Sequence, residues 1–257
     1  MVLGDWEVME KTGSEFHRSF DLDKHTGPIT YDPAAAIILS VDENVNPALN
    51  ALVCQVIQNQ LRAFNELVMA SPRNTVEALC DEFKKQYPKH KSGLILTGDA
   101  TSLKADTKIE KEYNFFKLIL DYLKDYKPSL RIGRSNPSVI MSGRYLDTIF
   151  EGKRPGVSIL IGSNCSYIIK DMMLLKTAPD GTKLKEMKTD PKTKTRFQLK
   201  GHHSDALTYF LVTSYASDYE SWQRGSTYAR PRFGSNYDKK YDPYTDKKPH
   251  RISKDSC

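Results

Sequence analysis

The residues most able to do chemistry in this 257-residue chain begin at LKGHHSDALTYFLV, positions 199–212. The first half is polar, with His202, His203, Ser204 and Asp205, and the second half is an apolar run suited to a core helix. Positions 202 and 205 stand three apart, so on a helix they share a face. Ala206, Leu207, Phe210, Leu211 and Ser214 make the stripe on the other side, and His203 lies nearer to that stripe than His202 does. The spacing predicts His202 as the partner of Asp205 at a metal ion or a water. A plainer reading keeps Ser204 as a helix N-cap and leaves both histidines in solvent.

Two further acids end short apolar runs: Asp42 closes AAAIILSVD (34–42) and Asp99 closes GLILTGD (93–99). Open α/β sheets hold ligands beyond the carboxyl ends of their strands. If these two strands are parallel neighbours, Asp42 and Asp99 converge, and Asp205 joins them from the first turn of a helix. Three carboxylates meeting without a paired base repel one another. A divalent cation removes that conflict, and an all-oxygen donor set selects Mg²⁺ or Mn²⁺ over zinc. Two such ions can activate a water and stabilise the leaving oxygen of a phosphodiester. Singly, each acid has a structural alternative: Asp42 and Asp99 as turn residues, and Asp205 as an acid that suits a helix N-terminus.

These residues need a scaffold, and the chain reads as one. The apolar runs at 34–41, 51–57, 93–98 and 157–162, with LRIGRS (130–135), predict strands. Between them, helices are predicted from an Asn74 cap to Pro88, over 109–126, over 137–152 and over 163–176. The alternation indicates an α/β sheet with helices on its faces. Residues 177–201 carry a Pro-Asp-Gly turn and read as an antiparallel hairpin. From 170 to 200 nine Lys/Arg stand against four Asp/Glu. Residues 1–30 read as a linker segment, 31–217 as the folded domain, and 218–257 as a mobile Tyr- and Lys-rich tail; deletion after Asp218 is expected to leave the fold intact and to weaken only DNA or partner binding.

The net charge of +6 suits a polyanionic partner. No apolar stretch is long enough to predict a membrane span, and the opening MVLGDWEVMEKTG lacks the basic-then-apolar order expected of a signal peptide. Four widely spaced cysteines (Cys54, Cys80, Cys165, Cys257) make no zinc pattern and read as reduced thiols.

SVDENVNP, LTGDAT, RSNPSV, GSNCSYIIKDM, the PDGTKLKEM hairpin and GHHSDALTYFLV occur in that order. Over about 31–215 this set resembles the C-terminal nuclease domain of the large terminase subunit of tailed double-stranded DNA phages. The resemblance implies an RNase H-like α/β fold: a mixed sheet flanked by helices, with a basic β-hairpin insertion. It implies a Mg²⁺- or Mn²⁺-dependent endonuclease, using two ions, that cuts concatemeric viral DNA during genome packaging. Asp42, Asp99 and Asp205 match the acidic triad, and His202 matches a histidine that some members place three residues before the last acid. The 182–200 hairpin matches one beside the active site, and its lysines (Lys183, Lys185, Lys188, Lys192, Lys194) would screen DNA phosphates. The implied partners are double-stranded DNA, portal protein, the small terminase subunit and an N-terminal packaging ATPase. The implied location is the host cytoplasm.

The chain departs from a full large subunit in lacking GxxxxGK[ST]. It is expected to be either a dissected domain or a separate nuclease, without its own DNA motor. A resolvase, an RNase H, or a DNA- and portal-docking module with regulated cleavage stay open as alternatives. Other candidates are Lys104 at a phosphate, Glu43 (which strand alternation turns away from Asp42), loop acids Asp106, Asp171 and Asp180, arginines Arg131, Arg134 and Arg144, and tail tyrosines Tyr228, Tyr237, Tyr241 and Tyr244.

Overall fold

IILSVD carries no charge until its last residue, so a strand made from it tolerates burial on both faces. In the computed structural model, which describes residues 12–43, 46–103, 114–191 and 194–225, that segment is fully buried at the middle of a sheet. The sheet strands are β1 (Thr26–Gly27), β2 (Ile37–Asp42), β3 (Ala48–Ile57), β4 (Gln60–Ala70), β5 (Leu94–Gly98), β6 (Pro128–Leu130) and β7 (Ser158–Gly162). Their spatial order is β1-β7-β4-β3-β2-β5-β6. β2 pairs antiparallel with β3 and parallel with β5, and the β3–β4 hairpin joins that centre to the parallel β4–β7 pair.

The helices are α1 (Leu22–His25), α2 (Val76–Gln86), α3 (Phe115–Tyr122), α4 (Val139–Phe150), α5 (Ser166–Leu174), α6 (His202–Ser214) and α7 (Ala216–Gln223). Strand alternation divides the core between them. Ile37, Leu39, Val41, Leu94 and Leu96 pack with Leu79 and Phe83 of α2 and Phe116 and Ile119 of α3. Ile38 and Ile95 share the opposite core with Tyr145 and Leu146 of α4, Ile168 and Met172 of α5, and Leu207 and Phe210 of α6. Ser40 belongs to this second face, and its hydroxyl donates to the Ala206 carbonyl at 2.7 Å, tying α6 to β2. By the same parity Asp42 falls on the α6 face, and Asp99 follows the end of β5.

Several elements differ from the sequence reading. β4 was not foreseen: its polar Arg62, Asn65 and Glu66 interrupt the alternation, and a bulge beside it shifts the register at Val53/Cys54. The turn into it is Gln58-Asn59, both at positive φ, a hairpin turn made without glycine. The cap of α2 is Thr75, whose hydroxyl accepts from Ala78 N–H, rather than Asn74. The helix foreseen over 109–126 is α3 plus one 3₁₀ turn at Lys124–Tyr126, with 104–113 outside the described residues. The strand placed at 130–135 is β6, which ends at Leu130.

Both chain-end segments join the fold further than foreseen. Within the segment read as a linker, Phe20 and His17 are fully buried, Glu15 bridges to Lys176, and β1 pairs with β7. At the other end the boundary at 218 falls inside α7. Asp218 is 1% exposed and accepts from Tyr145 Oη at 2.7 Å and Arg154 Nε at 3.1 Å. The described chain runs to 225, so the four tail tyrosines and Cys257 lie outside the described residues. Cys54, Cys80 and Cys165 are buried free thiols. Among the described residues no helix is long and apolar enough to cross a membrane.

Candidate active site

Register brings the first two acids together. Val41 pairs with Gly98 in the parallel β2–β5 ladder, so Asp42 and Asp99 are the next residues on adjacent strands. Gly98 permits this approach: a Cβ there would overlap the Val41 carbonyl and stand 2.9 Å from Phe116 Cζ. Asp42 is 2% exposed and Asp99 half-buried. Asp99 Oδ1 accepts from Thr101 N–H, Thr101 Oγ1 and Asn136 Nδ2, each at 2.7 Å. Asn136 Oδ1 in turn accepts from Ala100 N–H at 2.8 Å, so one side chain fixes both Asp99 and the turn after it. The RSNPSV motif was noticed in the sequence, but nothing in it assigned Asn136 this task.

The start of α6 is fixed from a distance. Gly201 has φ +105°, a left-handed conformation that favours glycine, and offers no side chain to cap the helix. Asp171 of α5 supplies the cap: its carboxylate accepts from the N–H groups of Gly201 (2.9 Å), His203 (3.1 Å) and Ser204 (3.1 Å). Burial pushes the Asp171 carboxyl up, and hydrogen bonds from Gly201 and Ser204 oppose that rise. Asp171 thus positions the helix instead of approaching the acids from a loop. Ser204 Oγ lies 2.7 Å from His17 Nε2, so a residue of the N-terminal segment also braces this turn.

His202 partners Asp42, not Asp205. Its Nδ1 lies 2.7 Å from Asp42 Oδ2 and its Nε2 2.9 Å from the Gln198 carbonyl. Both ring nitrogens face acceptors, which is the hydrogen-bonding pattern of an imidazolium. Burial pulls this histidine down, but its hydrogen bond to Asp42 and that residue's charge outweigh burial and raise it to about 9. His203 takes the opposite role: it stacks on Tyr167 at 5.3 Å between centroids, and burial lowers it to about 3.

Asp205 is held by Lys183, whose Nζ lies 2.6 Å from Oδ1; the side chains are 28% and 7% exposed respectively. Lys183 therefore turns inward, with its ammonium 5.5 Å from the centroid of the Phe16 ring, away from any phosphate outside. Tyr209 of α6 feels the charges of all three acids. Its hydroxyl is pushed up by burial first and then by the charges of Asp205, Asp99 and Asp42.

A cleft of about 530 Å³ opens over Asp42, Asp99, Glu43 and Asn46, and the hairpin forms its other wall through Lys185, Met187, Arg196 and Gln198. Glu43 lines this cleft instead of pointing away, because β2 ends at Asp42 and alternation no longer applies. The hairpin strands are β8 (Met187–Thr189) and β9 (Arg196–Gln198), while the Pro-Asp-Gly turn closes a separate bridge between Thr177 and Lys183. In that turn Asp180 accepts from Thr182, so it is a turn residue. Among the described residues, Lys185 is the foreseen lysine that lines the cleft; Lys188 is exposed on β8, and Lys194 is in the exposed hairpin turn. Lys104, Asp106 and Lys192 lie outside the described residues. Arg196 was missed, and its basic, strand-borne position in the hairpin was the available signal.

Asp42 and Asp99 present oxygen donors to one cleft, which suits a hard divalent cation. Yet among the described residues no three His, Cys, Asp or Glu side chains stand close enough to form a ready cation cage. Asp42 and Asp205 instead carry protein cations, His202 and Lys183. The donor set fits the ion in kind, with the third carboxylate tied to a lysine.

No family model and no curated protein matches the sequence. Solved structures do match. The large terminase of a thermophilic bacteriophage superposes with a TM-score of 0.53 at 15% identity, over 77% of this chain and 44% of that one. The nuclease domain of the P22 large terminase superposes with a TM-score of 0.51 at 10% identity, over 77% of this chain and 90% of that one. The chain thus spans less than half the length of the thermophilic phage's protein. At these identities the likeness is one of fold: this seven-stranded mixed sheet with its flanking helices is RNase H-like and similar to that of the P22 large-terminase nuclease domain.

Proposed function

We propose that this chain is a divalent-cation-dependent endonuclease that cuts double-stranded viral DNA during genome packaging. One observation carries the reading: Asp42 and Asp99 end adjacent parallel strands and face a single cleft with a basic hairpin wall. Asp42, Asp99 and, once freed from its lysine, Asp205 would hold Mg²⁺ or Mn²⁺, as two ions in the reading that the resemblance suggests. When bound, such ions supply charge stabilisation at the phosphodiester and a more acidic water. The chain's own residues do the rest. His202 fixes the Asp42 carboxylate with a charge-assisted bond, and Asn136 and Thr101 aim Asp99 by occupying its Oδ1. Lys185 and Arg196 draw the DNA backbone over the cleft, Lys188 and Lys194 add to the hairpin's positive field, and Lys104 and Lys192 are candidates for the same duty.

In this reading the partners are double-stranded DNA and, as in a large terminase, a packaging ATPase, a portal protein and a small subunit, in the host cytoplasm. A second reading, a DNA- and portal-docking module with regulated cleavage, draws support from the Lys183–Asp205 pair. The discriminating experiment offers the full chain duplex DNA, an RNA–DNA hybrid and a four-way junction with Mg²⁺ or Mn²⁺. The proposal expects EDTA-sensitive cutting of plain duplex. Cutting of the hybrid or junction alone assigns the chain to the RNase H or resolvase classes. Retention of duplex without cutting favours the docking module.

A further inference from the structure

We propose that Lys183 is a resident counter-cation for Asp205, which a divalent ion must displace before the third carboxylate can join Asp42 and Asp99. The inference rests on the metal-dependent reading above and goes beyond it, because it names what stands between the resting arrangement and a complete site.

The pair is built into the fold. Lys183 is 7% exposed, whereas the hairpin's surface pair Lys200–Glu186 has side chains 35% and 54% exposed. Its backbone is fixed by the bridge to Thr177, and its ammonium sits near Phe16, whose ring packs tightly against Gly143 of α4. An ammonium partly withdrawn from water is stable only beside a compensating charge. Asp205 supplies that charge at 2.6 Å. The arrangement also answers the repulsion among the acids. Asp205 has Lys183 and Asp42 has His202 within hydrogen-bond distance, while Asp99 accepts from Thr101 and Asn136. Lys183 thus does for Asp205 at rest part of what a divalent ion would do in a complete site. A cation entering between the acids competes with Lys183 for Asp205, because Lys183 already holds Oδ1 of that carboxylate. The price of that competition is a weaker affinity for the ion.

The test is Mn²⁺ binding to the full chain, read from the electron paramagnetic resonance signal of free Mn²⁺, with no DNA and no turnover. Lys183→Met is expected to bind Mn²⁺ roughly fivefold or more tightly than the parent, the low end of ordinary coupling between sites. Lys183→Arg keeps the charge and stays near the parent. In an Asp205→Asn background, Lys183→Met changes nothing. Unchanged or weaker binding by Lys183→Met overturns the proposal. So does equal tightening in the Asp205→Asn background, which would mark a general charge effect. If neither parent nor variant binds Mn²⁺, the metal reading falls as well, an outcome distinct from a parent that binds and a variant that matches it. A second measurement uses the parent alone, so it survives a variant that does not fold. Acetylation of Lys183, followed by mass spectrometry, should accelerate severalfold on adding Mn²⁺, and an unchanged rate contradicts displacement.

Discussion

His202 illustrates what spacing can and cannot say about a residue. HxxD marked a site at the mouth of α6, but i,i+3 geometry describes one helix and cannot see Asp42 on β2, 2.7 Å from Nδ1. The pairing has a measurable consequence. In the folded chain His202 is raised from 6.5 to about 9, so its contribution is fully present below pH 6.5 and is lost as pH rises through about 9. The groups that face it are Asp42 and Asp171, which favour its charge, and His203, which is lowered to about 3 and stays neutral in this window. Urea unfolding of the parent and His202→Gln should differ by about 2–3 kcal/mol near pH 6 and converge above pH 9. A constant difference across that range refutes the imidazolium assignment. Asp171 was legible only as a loop acid, because a cap supplied by another helix leaves no local signature. Asp171→Ala strands three helix N–H groups and should cost about 3 kcal/mol in the same assay.

At the scale of elements, the strands that carry the acids could be read because β2 and β5 are buried on both faces and so appear as unbroken apolar runs. β4 could not, since its bulge, polar positions and Gln58-Asn59 turn remove the usual signals. Nor could the register that aligns Asp42 with Asp99, which depends on Gly98 admitting the Val41 carbonyl. Gly98→Ala should destabilise the chain by about 1–3 kcal/mol, through a backbone overlap that no rotamer relieves. A variant with the parent's urea midpoint would mean that the two strand ends are not so closely apposed. The hairpin was read correctly as basic and antiparallel, but not which of its charges face inward. Lys185→Ala with Arg196→Ala should flatten the salt dependence of DNA binding by about 0.9 in log–log slope for each lost phosphate contact. An unchanged slope would remove the hairpin from the DNA path.

Across the whole molecule, the α/β class and its RNase H-like form were legible from the order of elements and motifs, whereas the extent of the fold was not. The segments called linker and tail are polar in composition, yet Phe16, His17 and Phe20 pack inward and α7 seals the end of the α4–α6 core. A few anchoring residues in a polar stretch are too sparse to register as a periodic pattern. The anchor at α7 is the buried Arg154–Asp218 pair with Tyr145. Asp218→Ala removes the carboxylate beside a buried guanidinium and should cost about 3–5 kcal/mol. A chain ended at 217 lacks this anchor and should unfold with reduced cooperativity.

The measurement that bears most directly on the account is cleavage of supercoiled plasmid by the full chain with Mn²⁺ or Mg²⁺, beside Asp42→Asn and Asp99→Asn. The parent is expected to give nicked and linear products, with none in EDTA, and neither variant to give any while its circular dichroism stays that of the parent. A parent that never cuts, or folded variants that cut as well as it does, would contradict the claim that these two strand-end carboxylates form a nuclease centre.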